Sequence, residues 1–356
     1  MTAPPVLALD LGGTRIRAAI IQPDGTRVAR TETGTPVDSG PAAILAACLD
    51  MLRKSRDGAP RAIADSLAGI GMSSPGPVDP RTGHVVEPPN LGPQFHDVPL
   101  APEAESALGL PAFLDRDTNV AALGERAFGA ARGYDDFIYL TVSTGVGGSI
   151  VTGGRILHGP DGLAGELGHV PVTLDGPRCG CGGVGHVEAY ASGAGLAKLA
   201  RAAVDHAESP FLADRAKALG GRHLLSAIDV ADGVRAADPA CVELMTRARR
   251  AVAVACVGYV NAFNPHRIVI GGSIAEAEGE PFLEQVRTTI AAECFAVLTR
   301  PVTVVAAELG GDVSLAGAHP LVMSRLVESG HGATSATTPS SPRTRPTEPV
   351  GASPRR

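Results

Sequence analysis

Twice along this chain a strand runs into a glycine-rich turn and doubles straight back. "VLALD" (6–10) has the apolar density of a buried strand, a Gly-Gly turn follows, and "TRIRAAII" (14–21) alternates as a returning strand. The programme restarts with the strand "DFIYLTVS" (136–143), the turn "TGVGG" and the hairpin "SIVTGGRIL". Two halves that open alike argue for a duplicated α/β design with a cleft between lobes. The 356 residues agree, because a chain of this length outgrows a single core. Between the two openings, "TRVARTET" (26–33) extends the first sheet after the "PDG" turn. "AAILAACLDMLRKS" (42–55) has helical periodicity, and "LAGIGMS" (67–73) and "LPAFLDRD" (110–117) are further strands. In the second half a helix-rich stretch spans about 187–264, followed by strands at "RIVIGG" (267–272) and "VTVVAAE" (302–308).

Charge and cysteine usage narrow the class. A formal net charge of −6 gives no basic face for nucleic acid or acidic lipid. No apolar run reaches the roughly 18–20 residues of a membrane span, and the N-terminus lacks a leader pattern, so a cytoplasmic protein is expected. Six cysteines in such a chain make no disulfide framework, and Cys48, Cys241, Cys256 and Cys294 read as small core residues. From about Ser329 to Arg356 the chain is Ser/Thr/Pro/Arg-rich, with little to bury, and is expected to be a disordered tail.

Three glycine pairs follow strand ends. In "LDLGGT" (9–14), Gly12 and Gly13 allow backbone N–H groups to approach phosphate, and Asp10 suits hydrated Mg²⁺; a plain β-turn explains the same residues. "STGVGG" (143–148) repeats the arrangement, and "IVIGGSI" (268–274) offers a face for adenosine. None is a Walker A loop. "LDRDTN" (114–119) places Asp117 at a strand end, where it can orient a hydroxyl and take its proton, or else cap a helix. Asp115 reads as a plain loop acid. Downstream, "GELGHVPV" and "CGCGGVGH" bring together His169, Cys179, Cys181 and His186, a four-ligand N/S set suited to structural zinc. A redox Cys-x-x-Cys is absent, and two thiols on a Gly-rich loop remain the plain alternative. Glu166, His169 and Glu188 are acceptors suited to vicinal sugar hydroxyls, or else ordinary surface groups.

These segments, with "SSPGPVD" (73–79), "PPNL" (88–91), "LDRDTNVAALGE" (114–125) and "CGCGGVGHVEAYASG" (179–193), occur in the order found in the ROK group of bacterial sugar kinases and repressors, which the chain resembles from about residue 6 to 328. The resemblance implies a two-lobed actin-like ATPase fold, a duplicated ribonuclease H-like unit with an interlobe cleft. Residues 1–116 would form the small lobe, completed by a C-terminal helix at about 312–328, and 117–311 the large lobe with its zinc loop. It implies ATP and Mg²⁺ as cofactors, and transfer of phosphoryl to the primary hydroxyl of glucose or a glucose-like sugar.

By the same resemblance Asp117 is the catalytic base, and Asn90, Arg116, Glu166, His169 and Glu188 contact the acceptor. Asp10, Gly12, Gly13 and Thr14, then Thr144, Gly145 and Gly147, then Gly271 and Gly272, hold the nucleotide. His169, Cys179, Cys181 and His186 bind zinc, and a homodimer or homotetramer is implied. Two positions depart from the family pattern. His186 stands for a third cysteine and keeps tetrahedral chemistry. Arg116 stands for an Asn that both donates and accepts, whereas Arg only donates. Either Arg116 turns to solvent, or the acceptor is something other than glucose, such as a valiolone-type C7-cyclitol. A sugar-sensing protein without catalysis is the remaining alternative. Family repressors carry a DNA-binding domain ahead of the first glycine loop, which here starts within ten residues of Met1, so no nucleic-acid partner is expected.

Overall fold

The structure, a computed structural model, describes residues 3–88, 90–299 and 302–329. All of the expected tail after Ser329 lies outside the described residues. β1 (Val6–Leu11), β2 (Arg15–Ile21) and β3 (Arg27–Gly34) form an antiparallel meander, and β4 (Ile70–Ser74) adds parallel to β1. A two-stranded ribbon of β5 (Val78–Asp79) and β6 (His84–Val85) follows, and β7 (Ala112–Arg116) joins parallel to β4. The second sheet repeats this plan with β8 (Phe137–Val142), β9 (Val146–Thr152), β10 (Arg155–Ile156), β11 (Arg267–Gly271) and β12 (Thr303–Ala306). The strand orders, β3-β2-β1-β4-β7 and β10-β9-β8-β11-β12, are the same pattern written twice. The turn expected over 144–148 is shorter than the sequence suggests, because Val146, Gly147 and Gly148 already pair with β8.

Helices cover the sheets. In the first half they are α1 (Pro41–Asp57), α2 (Arg61–Ala64) and α3 (Leu100–Leu108), and α4 (Asp117–Phe128) starts directly where β7 ends. The second half carries α5 (Val187–Ala191), α6 (Gly193–Asp205), α7 (Pro210–Leu219), α8 (Ala227–Arg235), α9 (Pro239–Phe263), α10 (Ser273–Glu278), α11 (Glu280–Glu293) and α12 (Ala296–Thr299), and α13 (Val313–Glu328) follows β12. Local sequence sets the long helix α9. Asp238 caps it by accepting the Cys241 N–H at 2.9 Å, Pro239 fits the first turn, and Asn264 ends it in the left-handed region at φ 47°.

α1 buries Ile44, Cys48 and Leu52 against Leu7, Leu9 and Ile20 of the first sheet. On the opposite face, Leu315, Ala318 and Val322 of α13 pack on Val6, Ala8 and Ile21. The second sheet is covered by α9 through Val252, Cys256 and Val260 on one face, and by α4 through Ala121 and Ala122 on the other. α4 and α13 therefore lie back to back between the two sheets, and they touch through main chain. A Cβ on Gly317 would lie 1.8 Å from the Val120 carbonyl oxygen, and one on Gly124 2.7 Å from that of Val313. Of the four cysteines expected in the core, Cys48, Cys241 and Cys256 are buried. Cys294 is half-exposed, because α11 ends there at the surface. No helix among the described residues is long and apolar enough to cross a membrane.

Candidate active site

Asp117 stands where two cavities meet. One, about 380 Å³, is lined by Arg17, Asp117, Thr118, Thr141, Gly272 and Gly311. The other, about 430 Å³, is lined by Pro75, Arg116, Asp117, Thr118, Leu163, Glu166 and His169. As the first residue of α4, Asp117 accepts the Thr118 N–H at 2.7 Å. Burial pushes its carboxyl up to about 6, and the nearby charge of Asp10 pushes the same way against the Thr118 bond. The group is thus poised to exchange a proton near neutrality.

The first cavity has the character of a polyphosphate site built from main chain and small polar groups. Gly272 lines it at φ 93°, and a Cβ there would stand 2.5 Å from the Val142 carbonyl, so no larger residue fits. Gly271 is the last residue of β11 just before it. Asp10, Gly12, Gly13 and Thr14 do not line this cavity; Arg17 does. The reason is electrostatic. Arg17 donates to the Asp10 carboxylate, to the Gly311 carbonyl and to Asp312, while Ser73 donates to the other Asp10 oxygen at 2.6 Å. These bonds engage both Asp10 oxygens, so a Mg²⁺ ion at Asp10 would share the carboxylate with Arg17 and Ser73. An apolar slot of about 680 Å³ adjoins through Ser143 and Ser273, and Thr144, Leu196, Ile228 and Ile274 line it, a shape and polarity suited to a flat base.

The second cavity gathers Asn90, Arg116, Glu166 and His169 around Asp117, and Gly147, expected on the nucleotide side, lines this cavity instead because it already pairs with β8. Arg116 does not turn to solvent. It is 7% exposed and donates to Glu166, to the Gly148 carbonyl at 2.9 Å and to the Ala164 carbonyl at 3.0 Å. Asp115 is no loop acid either. The strand continues through it, and it is 1% exposed, accepting from the Arg116 N–H, Asn119 Nδ2 and His158 Nε2 at 2.7–2.8 Å. Glu188 does not reach this cavity. Its carboxylate accepts the Val146 N–H at 3.0 Å beside Gly145 and so ties the second glycine turn to α5. Sequence reasoning passed over Arg17, Thr118 and His158. Alternation along β2 signals only an outward Arg, and nothing local marks His158.

His169 also belongs to a second group. With Cys179, Cys181 and His186 it offers four ligand atoms that all lie within 4.8 Å of one another. Cys179 Sγ lies 3.7 Å from His169 Nδ1, and Cys181 Sγ 3.3 Å from His186 Nδ1. A tetrahedron with bonds of about 2.0–2.3 Å has edges of this size, so the donor set fits Zn²⁺.

Comparison with known proteins agrees with this architecture. The family model described as "ROK family" matches residues 6–325. A glucokinase of Thermotoga maritima is 32% identical over 321 residues, 90% of this chain and 98% of its own. An N-acetylmannosamine kinase of Escherichia fergusonii is 33% identical, over 88% of this chain and 96% of its own. Among solved structures, the ROK family glucokinase of Streptomyces griseus in complex with glucose and AMPPNP superposes with a TM-score of 0.71 at 29% identity, covering 88% of this chain and 97% of that one. The duplicated sheets are those of the two-lobed actin-like ATPase fold, and the chain belongs to the ROK family.

Proposed function

We propose that this protein is an ATP-dependent kinase that phosphorylates the primary hydroxyl of glucose or a glucose-like sugar, with Asp117 as the base. It is a phosphotransferase with an alcohol acceptor, the class of its glucokinase relatives. The observation that carries the finer reading is the position of Asp117 and Thr118 in the walls of both cavities. The acceptor would lie against Glu166 and His169, and the donor phosphates against Gly272 and Arg17. As the acceptor oxygen bonds to the terminal phosphorus and the bond to the leaving diphosphate breaks, Asp117 takes the hydroxyl proton. Bound Mg²⁺ would neutralise charge on the donor phosphates; the residue present for it, Asp10, is held by Arg17. Zn²⁺ on His169, Cys179, Cys181 and His186 would fix the ring of His169 beside the acceptor.

Arg116 favours a second reading of the acceptor. Its guanidinium, buried against Glu166, presents only donors where a glucose hydroxyl would need an acceptor. A C7-cyclitol, which keeps a primary hydroxyl on a carbocycle, is the alternative on that ground. The test is a coupled assay with ATP and a panel of glucose, N-acetylmannosamine and cyclitols. Turnover on glucose at ordinary kinase rates supports the first reading and turnover confined to cyclitols the second. Saturable sugar binding with no turnover on any acceptor would leave a sensor.

A further inference from the structure

Two consecutive residues at the end of β7 grip the two ends of one loop. The loop runs from His158, just after β10, to Glu166, and it contributes Leu163 and Glu166 to the acceptor cavity. At its near end the His158 Nε2 donates to Asp115 at 2.7 Å, and the His158 carbonyl accepts the Ala164 N–H at 2.9 Å, which closes the neck. At its far end Arg116 holds the Ala164 carbonyl and the Glu166 carboxylate. Successive strand residues point to opposite faces, so Asp115 and Arg116 seize the loop from two sides. Gly165 makes the far grip possible, since a Cβ there, at φ 90°, would lie 2.8 Å from Arg116 Nη2.

We propose that His158 is a positioning residue: together with Arg116 it holds the 158–166 loop in its binding shape before any acceptor arrives, so that Glu166 is already in place. This rests on the reading of the second cavity as the acceptor site. The physical gain is entropic. A free loop of this length must be ordered when the acceptor binds, and each residue fixed beforehand removes that cost from the binding step. Asp115 makes the near grip firm. It is almost wholly buried, its first oxygen is held by the Arg116 N–H and Asn119 Nδ2, and its second accepts from the imidazole, so the His158 ring has a fixed partner to turn to.

The test uses the full chain, zinc-replete, as wild type, His158→Ala, His158→Asn and His158→Gln. Asparagine is too short to span to Asp115, and glutamine keeps a donor at nearly the reach of Nε2. Hydrogen exchange without ligands is read over residues 159–166, and steady-state KM is measured for acceptor and for ATP. The alanine and asparagine variants should speed exchange in the loop and raise the acceptor KM about tenfold, leaving the ATP KM within about twofold and kcat little changed. Glutamine should restore both readouts. Unchanged loop protection in the alanine and asparagine variants overturns the proposal, as does an ATP KM that rises with the acceptor KM, or failure of glutamine to rescue. Faster exchange in a protein whose wild type turns over no acceptor would instead uphold the clamp and sink the kinase reading. If the alanine variant does not fold, the asparagine and glutamine pair carries the same comparison.

Discussion

The two cavities that meet at Asp117 are built by opposite means. The side proposed for the acceptor is held by polar and charged side chains: Arg116 on Glu166 and two carbonyls, His158 on Asp115, and His169 among three further N/S groups. The side proposed for the donor is lined mainly by small groups, Thr141, Ser143, Gly272, Ser273, Gly310 and Gly311, with Arg17 as its cation. Every nucleotide presents the same phosphates, and main-chain N–H groups suffice to receive them. Sugar-like acceptors differ in the kind and placement of their ring substituents, so discrimination needs rigid side chains.

Five experiments break or sharpen that contrast. Asp117 belongs to both sides, so Asp117→Asn should show the largest effect, a fall in kcat of about 10²–10⁴-fold, with acceptor and nucleotide binding by calorimetry preserved. Near-normal turnover would remove the base from the scheme. The same variant should be more heat-stable than wild type at pH 8 but not at pH 4. The native carboxyl holds its proton up to about 6, above its unfolded value of 3.8, so its ionised form costs stability as pH rises through that window and costs nothing below it.

Removing zinc comes next. Chelation should release about one zinc per chain, lower Tm by about 5–10 °C and raise the acceptor KM more than the ATP KM, because His169 is the ligand shared with the acceptor wall. Equal losses on both substrates would show that the metal supports the fold and not the acceptor side.

Arg116→Asn should change the preference between glucose and cyclitol acceptors by about tenfold in kcat/KM, read against an unchanged ATP KM. An unchanged preference would assign Arg116 to scaffolding alone. The smallest effect is expected in the pH profile. Activity should be full above about pH 7 and fall as pH drops through about 6, and this acid limb should be missing from any residual activity of Asp117→Asn.

The repeated strand–turn–strand openings made the duplicated sheets legible, because period and glycine placement are local signals. Asp117 was legible for the same reason, sitting at the junction of β7 and α4. Partnerships across the fold were not. Nothing near Asp10 indicates that Arg17, seven residues on, would occupy its carboxylate together with Ser73 from β4. Glu188 reads as a ligand-binding acid, and only the packing of α5 shows one of its oxygens on the Val146 N–H and the other facing Cys179 Sγ. His158 lies 43 residues from Asp115, and a pair so separated leaves no trace in either neighbourhood. Arg116 was noticed as a departure but could be placed only once the 164–166 backbone was seen to wrap it.

The crossing of α4 and α13 at Gly124 and Gly317 has one more consequence. One helix clads the first sheet and the other the second, and at their crossing no side chain stands between the two backbones. Such a joint fixes the distance between the halves by direct backbone contact, and pulling them apart is resisted by the packing on either side. Lengthening either glycine by a methyl would act as a wedge, forcing the two halves apart from a point that lines neither cavity.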